Sequence, residues 1–239
     1  MYAFEIHRIT TKSVVIYQSE KNLNSLKSIH QLLWFREQLP PFQFHFVKLE
    51  DVSKGLQDLA DYGLTTREAC GNTVRNVTAC HKAGTCKEEI FDVAPYGKAV
   101  TNYLIRHAVT QNLPRKFKIA VTGSSKDRAI VQAHDIGLEV FTDKNNEMAI
   151  KVWVGGGLGR TPILGSVIRE NLSWKHMLTY CEAILRVYNL YGRRDNMYKA
   201  RIKILVKALG IEKFKQLVDK EWTTIKNGPN TIDSKEINR

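Results

Sequence analysis

Three polar segments of this chain combine cationic side chains with backbone suited to binding an anion. They run over residues 71–80, 113–118 and 155–160 and are separated by ordinary amphipathic stretches. Arginine pairs with carboxylate or phosphate through two parallel hydrogen bonds, and glycine-rich turns can present backbone N–H groups to an anion. Together, the three segments therefore predict a site for a multiply charged anion.

The middle segment places two lysines on one side of the chain. In an extended conformation Lys116 and Lys118 project to one face, while Arg115 and Phe117 project to the other. Two neighbouring ammonium groups can hold a small oxyanion and donate protons to it. Taken alone, however, this segment is explained better as a solvated strand face.

The outer segments add glycines, asparagines and two arginines. Residues 155–159 follow a predicted strand and must be irregular, so their exposed N–H groups could surround an anion. Their spacing is neither GxGxxG nor that of a P-loop, which leaves a tight structural loop as an alternative. Arg160 follows directly and adds a cation. Asn72, Arg75 and Asn76 suit hydrogen bonding to a polar ligand or within the loop itself.

The composition is that of a globular protein with an excess of positive charge. Of the 239 residues 43% are hydrophobic, and no apolar stretch reaches the roughly 18–20 residues of a membrane helix. The start of the chain lacks a signal-peptide core, so a cytoplasmic location without membrane association is expected. The net charge of +12 favours an anionic partner such as a phosphate, an acidic protein, a nucleic acid or a polycarboxylate cofactor, although a solvated basic surface explains it as well. The basic residues form no long tract, which argues against a nucleic-acid-binding tail.

The cysteines do not predict a metal site. Cys70, Cys80 and Cys86 are spaced unlike the CxxC pairs of zinc ribbons or the tight runs of bacterial ferredoxins, and Cys181 is remote from them. Free thiols in a reducing compartment are expected. Two isolated histidines, His45 and His134, are expected to have structural roles.

Alternating strands and helices are expected to position the three segments, as in an α/β domain. Hydrophobic periodicity predicts strands at residues 42–47, 118–122, 138–142 and 148–154. It predicts helices at residues 50–62, 93–110, 173–188, 195–208 and 211–225. Gly63 is expected to be a helix C-cap and Ser173 an N-cap. A long loop is expected at residues 65–90, turns at 143–146 and 227–230, and helix after Pro162. Residues 22–39 also show some helical spacing.

At these motifs the chain resembles the sirohaem-dependent sulfite and nitrite reductases, from about Phe42 to about Trp222. Residues 64–86 resemble the family's loop around Asn-x-x-Arg-Asn, residues 115–118 its Arg-Lys-Phe-Lys segment, and residues 154–160 its glycine loop. The resemblance implies an α+β or α/β fold, in which the end of a ferredoxin-like half-domain precedes the first catalytic α/β repeat. It implies six-electron reduction of sulfite to sulfide, or of nitrite to ammonia, at a sirohaem joined to a 4Fe-4S cluster. The electron donor would be a ferredoxin or a flavoprotein.

The resemblance also assigns roles to individual residues. Arg75, Lys116 and Lys118 would surround the substrate anion and supply protons. The residues that would bind the sirohaem and its carboxylates are Asn72, Asn76, Arg115, Gly155, Gly156, Gly157, Gly159 and Arg160. None of the residues singled out is expected to ligate a metal.

Departures from the family shape the expected organisation. Residues 38–41 stand where the family has Thr-Thr-Arg-Gln, so residues 1–41 are expected to be a divergent or out-of-frame start. A remnant of the half-domain is expected at residues 42–66, the first sirohaem-domain repeat at 67–226 and a truncated linker at 227–239. The family's cluster cysteines, a CxxxxxC and a CxxxC pair, lie in its second repeat, so the spacing of Cys80 and Cys86 is interpreted as coincidence.

Three hypotheses follow from these departures. The first is an inactive fragment of such a reductase, whose exposed apolar face would make it marginally stable and prone to aggregate. The second is one subunit of a split enzyme, completed by a second chain that carries the cluster cysteines. The third and least favoured is a basic module that binds an anion or RNA. The choice between sulfite and nitrite stays open, because the same cations would hold either oxyanion.

Overall fold

The computed structural model describes residues 47–61, 68 and 71–232 in full, together with the backbone of residues 3–8, 13–17, 42–44 and 64–65. The predicted Gly63 cap, the helical spacing at residues 22–39, His45 and Cys70 lie outside the described residues. Among the described residues, no helix is long and apolar enough to cross a membrane.

Four short strands form the first sheet. They are β1 (Ala3–Arg8), β2 (Ser13–Tyr17), β3 (Phe42–Phe44) and β4 (Leu64–Thr65), in the order β3-β2-β1-β4. β1 pairs antiparallel with β2 and β4, and β2 pairs parallel with β3. Helix α1 (Leu49–Asp61) buries Val52 and Leu59. The prediction of a strand beginning at Phe42 is confirmed for residues 42–44, and the predicted helix that follows is confirmed.

Five strands in sequential order form the second sheet, which carries the three polar segments. They are β5 (Val74–Ala79), β6 (Phe117–Thr122), β7 (Ile136–Thr142), β8 (Met148–Val154) and β9 (Ser166–Ser173). β5, β6 and β7 are parallel neighbours, whereas β7, β8 and β9 form an antiparallel meander. The predicted strands at 118–122, 138–142 and 148–154 are confirmed. The turn at residues 143–146 joins β7 to β8 with Asn146 at a φ of 61°, as its turn chemistry predicts.

Helices cover this sheet and complete one hydrophobic core. They are α2 (Ala94–Leu104), α3 (Met177–Tyr191), α4 (Ile202–Leu209) and α5 (Ile211–Ile225). α3 is buried over most of its circumference, and Tyr180 and Tyr188 are completely inaccessible. The predicted break between the last two helices is confirmed at Gly210, whose φ of 79° suits glycine. The predicted turn at 227–230 is also confirmed.

Two strands contradict the predictions made for their segments. Residues 65–90 were expected to be a loop, yet β5 lies within them, and residues after Pro162 were expected to be helical, yet they form β9. In β5 the buried residues Val74 and Val77 are three apart, and in β9 Ile168 and Leu172 are four apart. The bulge in β5 breaks the period-two alternation that identifies a strand. In β9 the exposed Glu170 lies between Ile168 and Leu172, where alternation would require an apolar residue.

Three helix boundaries also differ from prediction. The helix expected over 93–110 ends at Leu104, because Ile105 adopts an extended conformation with a ψ of 129° and Arg106 follows with a φ of 60°. Ser173 makes no capping side-chain hydrogen bond, and a short 3₁₀ turn separates it from the start of α3 at Met177. The helix expected from residue 195 begins at Ile202. These ends depend on local backbone geometry, which periodicity does not encode.

Candidate anion-binding site

A β-bulge joins the first polar segment to the second. Val74 pairs with Phe117 and Asn76 pairs with Lys118, so Arg75 is the extra residue on β5. The loop before the bulge is fixed by two further bonds, in which the N–H groups of Leu113 and Phe117 donate to the carbonyls of Asn72 (2.7 Å) and Thr73 (2.9 Å). Bulges commonly redirect a side chain beside a functional site. The structure therefore places Arg75 and the Lys116–Lys118 strand start side by side.

The strand start buries Phe117 and exposes its lysines, as the predicted alternation requires. Phe117 is completely buried against the ring of Tyr188, Lys118 is exposed and Lys116 is half-buried. The Arg75 Nε donates to the carbonyl of Gly71 at 2.9 Å, which fixes the direction of its guanidinium. The expectation that the two lysines share a face is consistent with this burial pattern.

Five cations gather at this point, and we call them the cation cluster: Arg75, Arg115, Lys116, Lys118 and Arg201. Burial and then the charges of the other four lower the pKa of Lys116. Among the described residues, no carboxylate forms an ion pair with Arg115, Lys116 or Lys118. Like charges held together without counterions destabilise a fold, so the cluster is the arrangement expected of a site that an anion completes.

One buried carboxylate supports the cluster from the protein side. Asp135 is completely buried, and its Oδ1 accepts hydrogen bonds from Arg201 Nε (3.0 Å) and Nη2 (2.7 Å). Its Oδ2 accepts the backbone N–H of Lys118 at 2.9 Å. Burial raises the pKa of Asp135 to about 6, against the opposing effects of Arg201 and of the Lys118 amide. The sequence did not predict Asp135 or Arg201 as site residues, because neither lies in the three segments and the two are 66 positions apart in the chain.

The glycine loop is used differently from its prediction. Gly155, Gly156 and Gly157 are buried, and the N–H groups of Gly155 and Gly157 donate to the carbonyls of Asp135 (3.0 Å) and Ile163 (2.9 Å). The expectation of exposed N–H groups is therefore wrong for these two glycines. Gly159, with a φ of 114°, and Arg160 are exposed instead.

Close packing explains two of the glycines. A Cβ on Gly156 would lie 2.2 Å from the carbonyl oxygen of Gln132, and one on Gly157 would lie 2.9 Å from the Arg201 Nη2. The Lys203 Nζ also donates to the carbonyls of Gly157 (3.3 Å) and Thr161 (2.6 Å). The third segment thus packs against Arg201, and this is its contact with the cation cluster. Among the described residues, no hydrogen bond or ion pair links Arg160 to the cluster.

The other candidate ligands are accounted for locally. The His134 Nδ1 lies 2.9 Å from the carbonyl oxygen of Ile130, which fits the structural role expected for it. Cys80 and Cys181 are buried, Cys86 is half-buried, and all three are free thiols. Burial raises the pKa of Cys181 to about 12, which makes it inert at neutral pH. Within the part of the chain that the structure describes, no group of three or more His, Cys, Asp or Glu side chains could hold a metal ion.

The residues present fit one of the two implied cofactors. Unpaired arginines and lysines around a half-buried ammonium are the donor set that a tetrapyrrole with several carboxylates requires. Ligands for a 4Fe-4S cluster would be cysteine thiolates, and the described residues bring no such group together. The site therefore suits the carboxylates of a sirohaem and an oxyanion, but it supplies no cluster ligands.

Fold and site together describe a mixed-sheet α/β protein with a cationic site where two parallel strands begin, in which Arg201 alone of the five cations has a carboxylate partner among the described residues. The chain belongs to the family described as "Nitrite and sulphite reductase 4Fe-4S domain", whose family model matches residues 70–226. The resemblance inferred from the three motifs is thereby confirmed.

Curated relatives agree with this family. The chain is 31% identical over 180 residues to "Sulfite reductase [ferredoxin] 1" of Mycolicibacterium paratuberculosis, covering 75% of this chain and 32% of that protein. It is 32% identical over 189 residues to the "Assimilatory ferredoxin-dependent nitrite reductase" of Haloferax mediterranei, with the same coverage. The chain thus spans about a third of the length of the relatives that it matches.

Solved structures share the fold. The Mycobacterium tuberculosis NirA protein superposes with a TM-score of 0.69 at 28% identity, over 76% of this chain and 33% of that one. The dissimilatory sulfite reductase I superposes with a TM-score of 0.59 at 10% identity, over 79% of this chain and 60% of that one, and shows the likeness of fold alone. The predicted fold class is confirmed.

Proposed function

We propose that this chain forms the sirohaem- and substrate-binding wall of a reductase that takes sulfite to sulfide or nitrite to ammonia by six electrons. The observation that carries the proposal is the cation cluster, in which a half-buried lysine is surrounded by four further cations. The named relatives act on sulfite or on nitrite with ferredoxin, which supports the same substrate class and a ferredoxin, or a flavoprotein, as donor here.

Arg75, Lys116 and Lys118 are the residues that would bind the substrate oxyanion. The bulge and the bond to Gly71 hold Arg75 towards the lysines, and its planar guanidinium suits two oxygens of one anion. The lowered pKa of Lys116 makes its ammonium a better proton donor to an oxygen that leaves as water. A bound sirohaem would supply the iron at which the anion is reduced, and the six electrons would come from the ferredoxin or flavoprotein donor.

The remaining predicted site residues would hold the carboxylates of the tetrapyrrole. Arg115 belongs to the cluster, and Arg160 is exposed beside Gly159. Asn72 and Asn76 flank the bulge and are half-buried. Since Gly155 and Gly157 donate their N–H groups within the protein, we assign those two glycines, with Gly156, to the shape of the pocket wall.

A 4Fe-4S cluster would need ligands from polypeptide other than the described residues, because these bring no metal-binding group together. We therefore propose that residues 67–226 form the sirohaem domain and act with a further chain or domain that carries the cluster cysteines. The described part alone would then be inactive. We place the protein in the cytoplasm. Leu158 and Leu164, each more than 60% exposed near the glycine loop, are the kind of apolar surface that such a partner would cover.

Titration of the full chain with sirohaem, followed by its absorption spectrum, tests the proposal. We expect saturable binding, and binding about tenfold or more weaker for the double variant K116Q/K118Q, because two charge-assisted contacts are lost. A matched double variant of exposed lysines outside the cluster, K144Q/K213Q, should bind within about twofold of wild type. Lys144 lies in the turn after β7, at the far end of the strand that begins beside Lys118.

Absence of saturable sirohaem binding would overturn the proposal, as would equal weakening by the two double variants. Equal weakening would mean that only net charge matters, which is the behaviour of a general polyanion-binding surface. RNA binding whose affinity falls steeply with salt, together with no sirohaem binding, would favour the alternative of a basic RNA-binding module.

A further inference from the structure

Asp135 joins two of the three polar segments from beneath the cation cluster. Its Oδ2 accepts the backbone N–H of Lys118 at the start of β6. Its backbone carbonyl accepts the N–H of Gly155 in the glycine loop at 3.0 Å. Through its Oδ1 it holds Arg201, whose guanidinium packs on Gly157. Asp135, directly before β7, thus contacts the start of β6, the glycine loop and Arg201.

Stability alone does not explain a carboxylate at this position. Asp135 is completely inaccessible, and a buried ion pair generally contributes less to stability than well-packed apolar side chains of similar volume. Ile136 and Phe117, the chain neighbours of Asp135 and of Lys118, are fully buried, so the ion pair borders the apolar core. The main effect of the ion pair is on the orientation of Arg201, because it fixes the direction of that side chain while leaving part of it accessible.

We propose that Asp135 is the positioning residue of the anion site, fixing Arg201 and the Lys118 backbone so that cations from both directions face one bound oxyanion. The inference rests on the proposed function, because the oxyanion is taken to be a carboxylate of sirohaem or the substrate. In the absence of the carboxylate, Arg201 would be repelled by its cationic neighbours and would turn towards solvent. Asp135 is fully buried and touches neither ligand. In Asp135→Asn the amide oxygen can still accept the Lys118 N–H, so the variant tests the effect that Asp135 has through Arg201.

A double-mutant cycle on ligand affinity tests this role. The full-length variants are Asp135→Asn, which keeps size and shape, Arg201→Met, which removes the charge, and the two combined. Each is titrated with sirohaem at a temperature where circular dichroism shows it folded. The sirohaem-loaded proteins are then titrated with sulfite, followed by the absorption spectrum, to identify which oxyanion the pair positions.

We expect each single variant to weaken the binding of sirohaem, or of sulfite, about tenfold. The combined variant should bind within about twofold of either single variant, because Asp135 has no effect once Arg201 is absent. The combined variant should also regain part of the thermal stability lost in Asp135→Asn, since no buried charge is left unpaired. A merely structural role would move stability and affinity together, so recovery of stability without recovery of affinity identifies positioning.

Two results would overturn the inference. One is wild-type affinity for both ligands in Asp135→Asn, and the other is additive losses in the combined variant. If Asp135→Asn does not fold, equal affinities of Arg201→Met and the combined variant support the inference and unequal affinities contradict it. Absence of sirohaem binding by the wild-type chain is a different result, because it refutes the proposed function itself.

Discussion

Two regions of this molecule differ in whether their charged side chains have partners of opposite charge. Arg169 on β9 and Arg186 on α3 are paired with carboxylates, whereas at the start of β5 and β6 the lysines and Arg115 have no such partner among the described residues. Both regions belong to the same core and the same sheet. The comparison distinguishes charges that stabilise the fold by pairing from cations that lie close together in a site for a ligand.

In the helix-covered region both arginines contact more than one partner, although the Arg169 Nε makes no hydrogen bond. The Arg169 guanidinium lies 5.1 Å from the ring centres of both Tyr180 and Trp222 and donates to the Oδ1 of Asp219. The Tyr180 hydroxyl donates to the same oxygen at 3.1 Å. Glu182, which is 2% exposed, accepts from Arg186 Nε at 2.9 Å. These contacts stabilise by direct pairing in a region of low dielectric.

In the cationic region like charges lie together, and this arrangement has an energetic cost. Lys116 is partly desolvated among four other cations, and the lowered pKa shows that its charged form is disfavoured there. Such local destabilisation is common where a protein keeps a site ready for a ligand, because the ligand supplies the missing interactions. Substitutions in the two regions should therefore change stability in opposite directions.

The largest expected effect is in the helix-covered region. Tyr180→Ala should lower the free energy of unfolding by about 3–5 kcal/mol, because it removes a completely buried ring, a hydrogen bond and one side of the Arg169 contact. Tyr198→Ala, at a side chain that is 82% exposed, should change it by less than about 0.5 kcal/mol. Chemical denaturation of both variants measures this difference, and equal effects would contradict the assignment of Tyr180 to the core.

A smaller loss is expected when Arg169 is removed. Arg169→Met should cost about 1–2 kcal/mol, since Asp219 and two aromatic faces lose their cation. Arg193→Met is the matched control, because Arg193 also pairs with an aspartate, Asp195, but on the open surface. It should cost less than about 0.5 kcal/mol in the same denaturation experiment. If the surface pair proved as costly as the covered one, burial would not be the source of the stabilisation.

The two regions also differ in how far the sequence predicted them. The central strands β6, β7 and β8 are largely buried apolar runs, and the long helices have helical spacing of their apolar residues, so both are identified correctly from the sequence. The two outermost strands, β5 and β9, lack such a signal, because a bulge changes the spacing of the buried residues in β5 and an exposed Glu170 interrupts the apolar face of β9. The bulge that hides β5 from pattern analysis is the feature that places Arg75 beside the lysines.

The cations of the candidate site could be predicted from the sequence, but the residues that position them could not. Arg75, Lys116 and Lys118 carry a recognisable local pattern, and the structure brings them together. Asp135 and Arg201 are 66 positions apart in the chain, so their ion pair is set by the tertiary fold and leaves no local signal. The glycines were recognised as special, but their close packing against carbonyls and against Arg201 becomes evident only in three dimensions.

The smallest expected effect has the opposite sign and tests the comparison most directly. Lys116→Gln should raise the free energy of unfolding at pH 7 by about 0.5 kcal/mol, a modest gain because solvent screens a half-exposed charge. Since the pKa of Lys116 is lower in the folded chain than its usual 10.5, the unfolded chain binds more protons as the pH approaches 10.5 from below. Wild-type stability should therefore rise relative to the variant across that window, and the gap should close near pH 10.5. Lys144→Gln, an exposed lysine in the β7–β8 turn, should show neither the gain nor the pH dependence. Loss of stability in Lys116→Gln would mean that Lys116 is held by favourable contacts, and the contrast between the two regions would then fail.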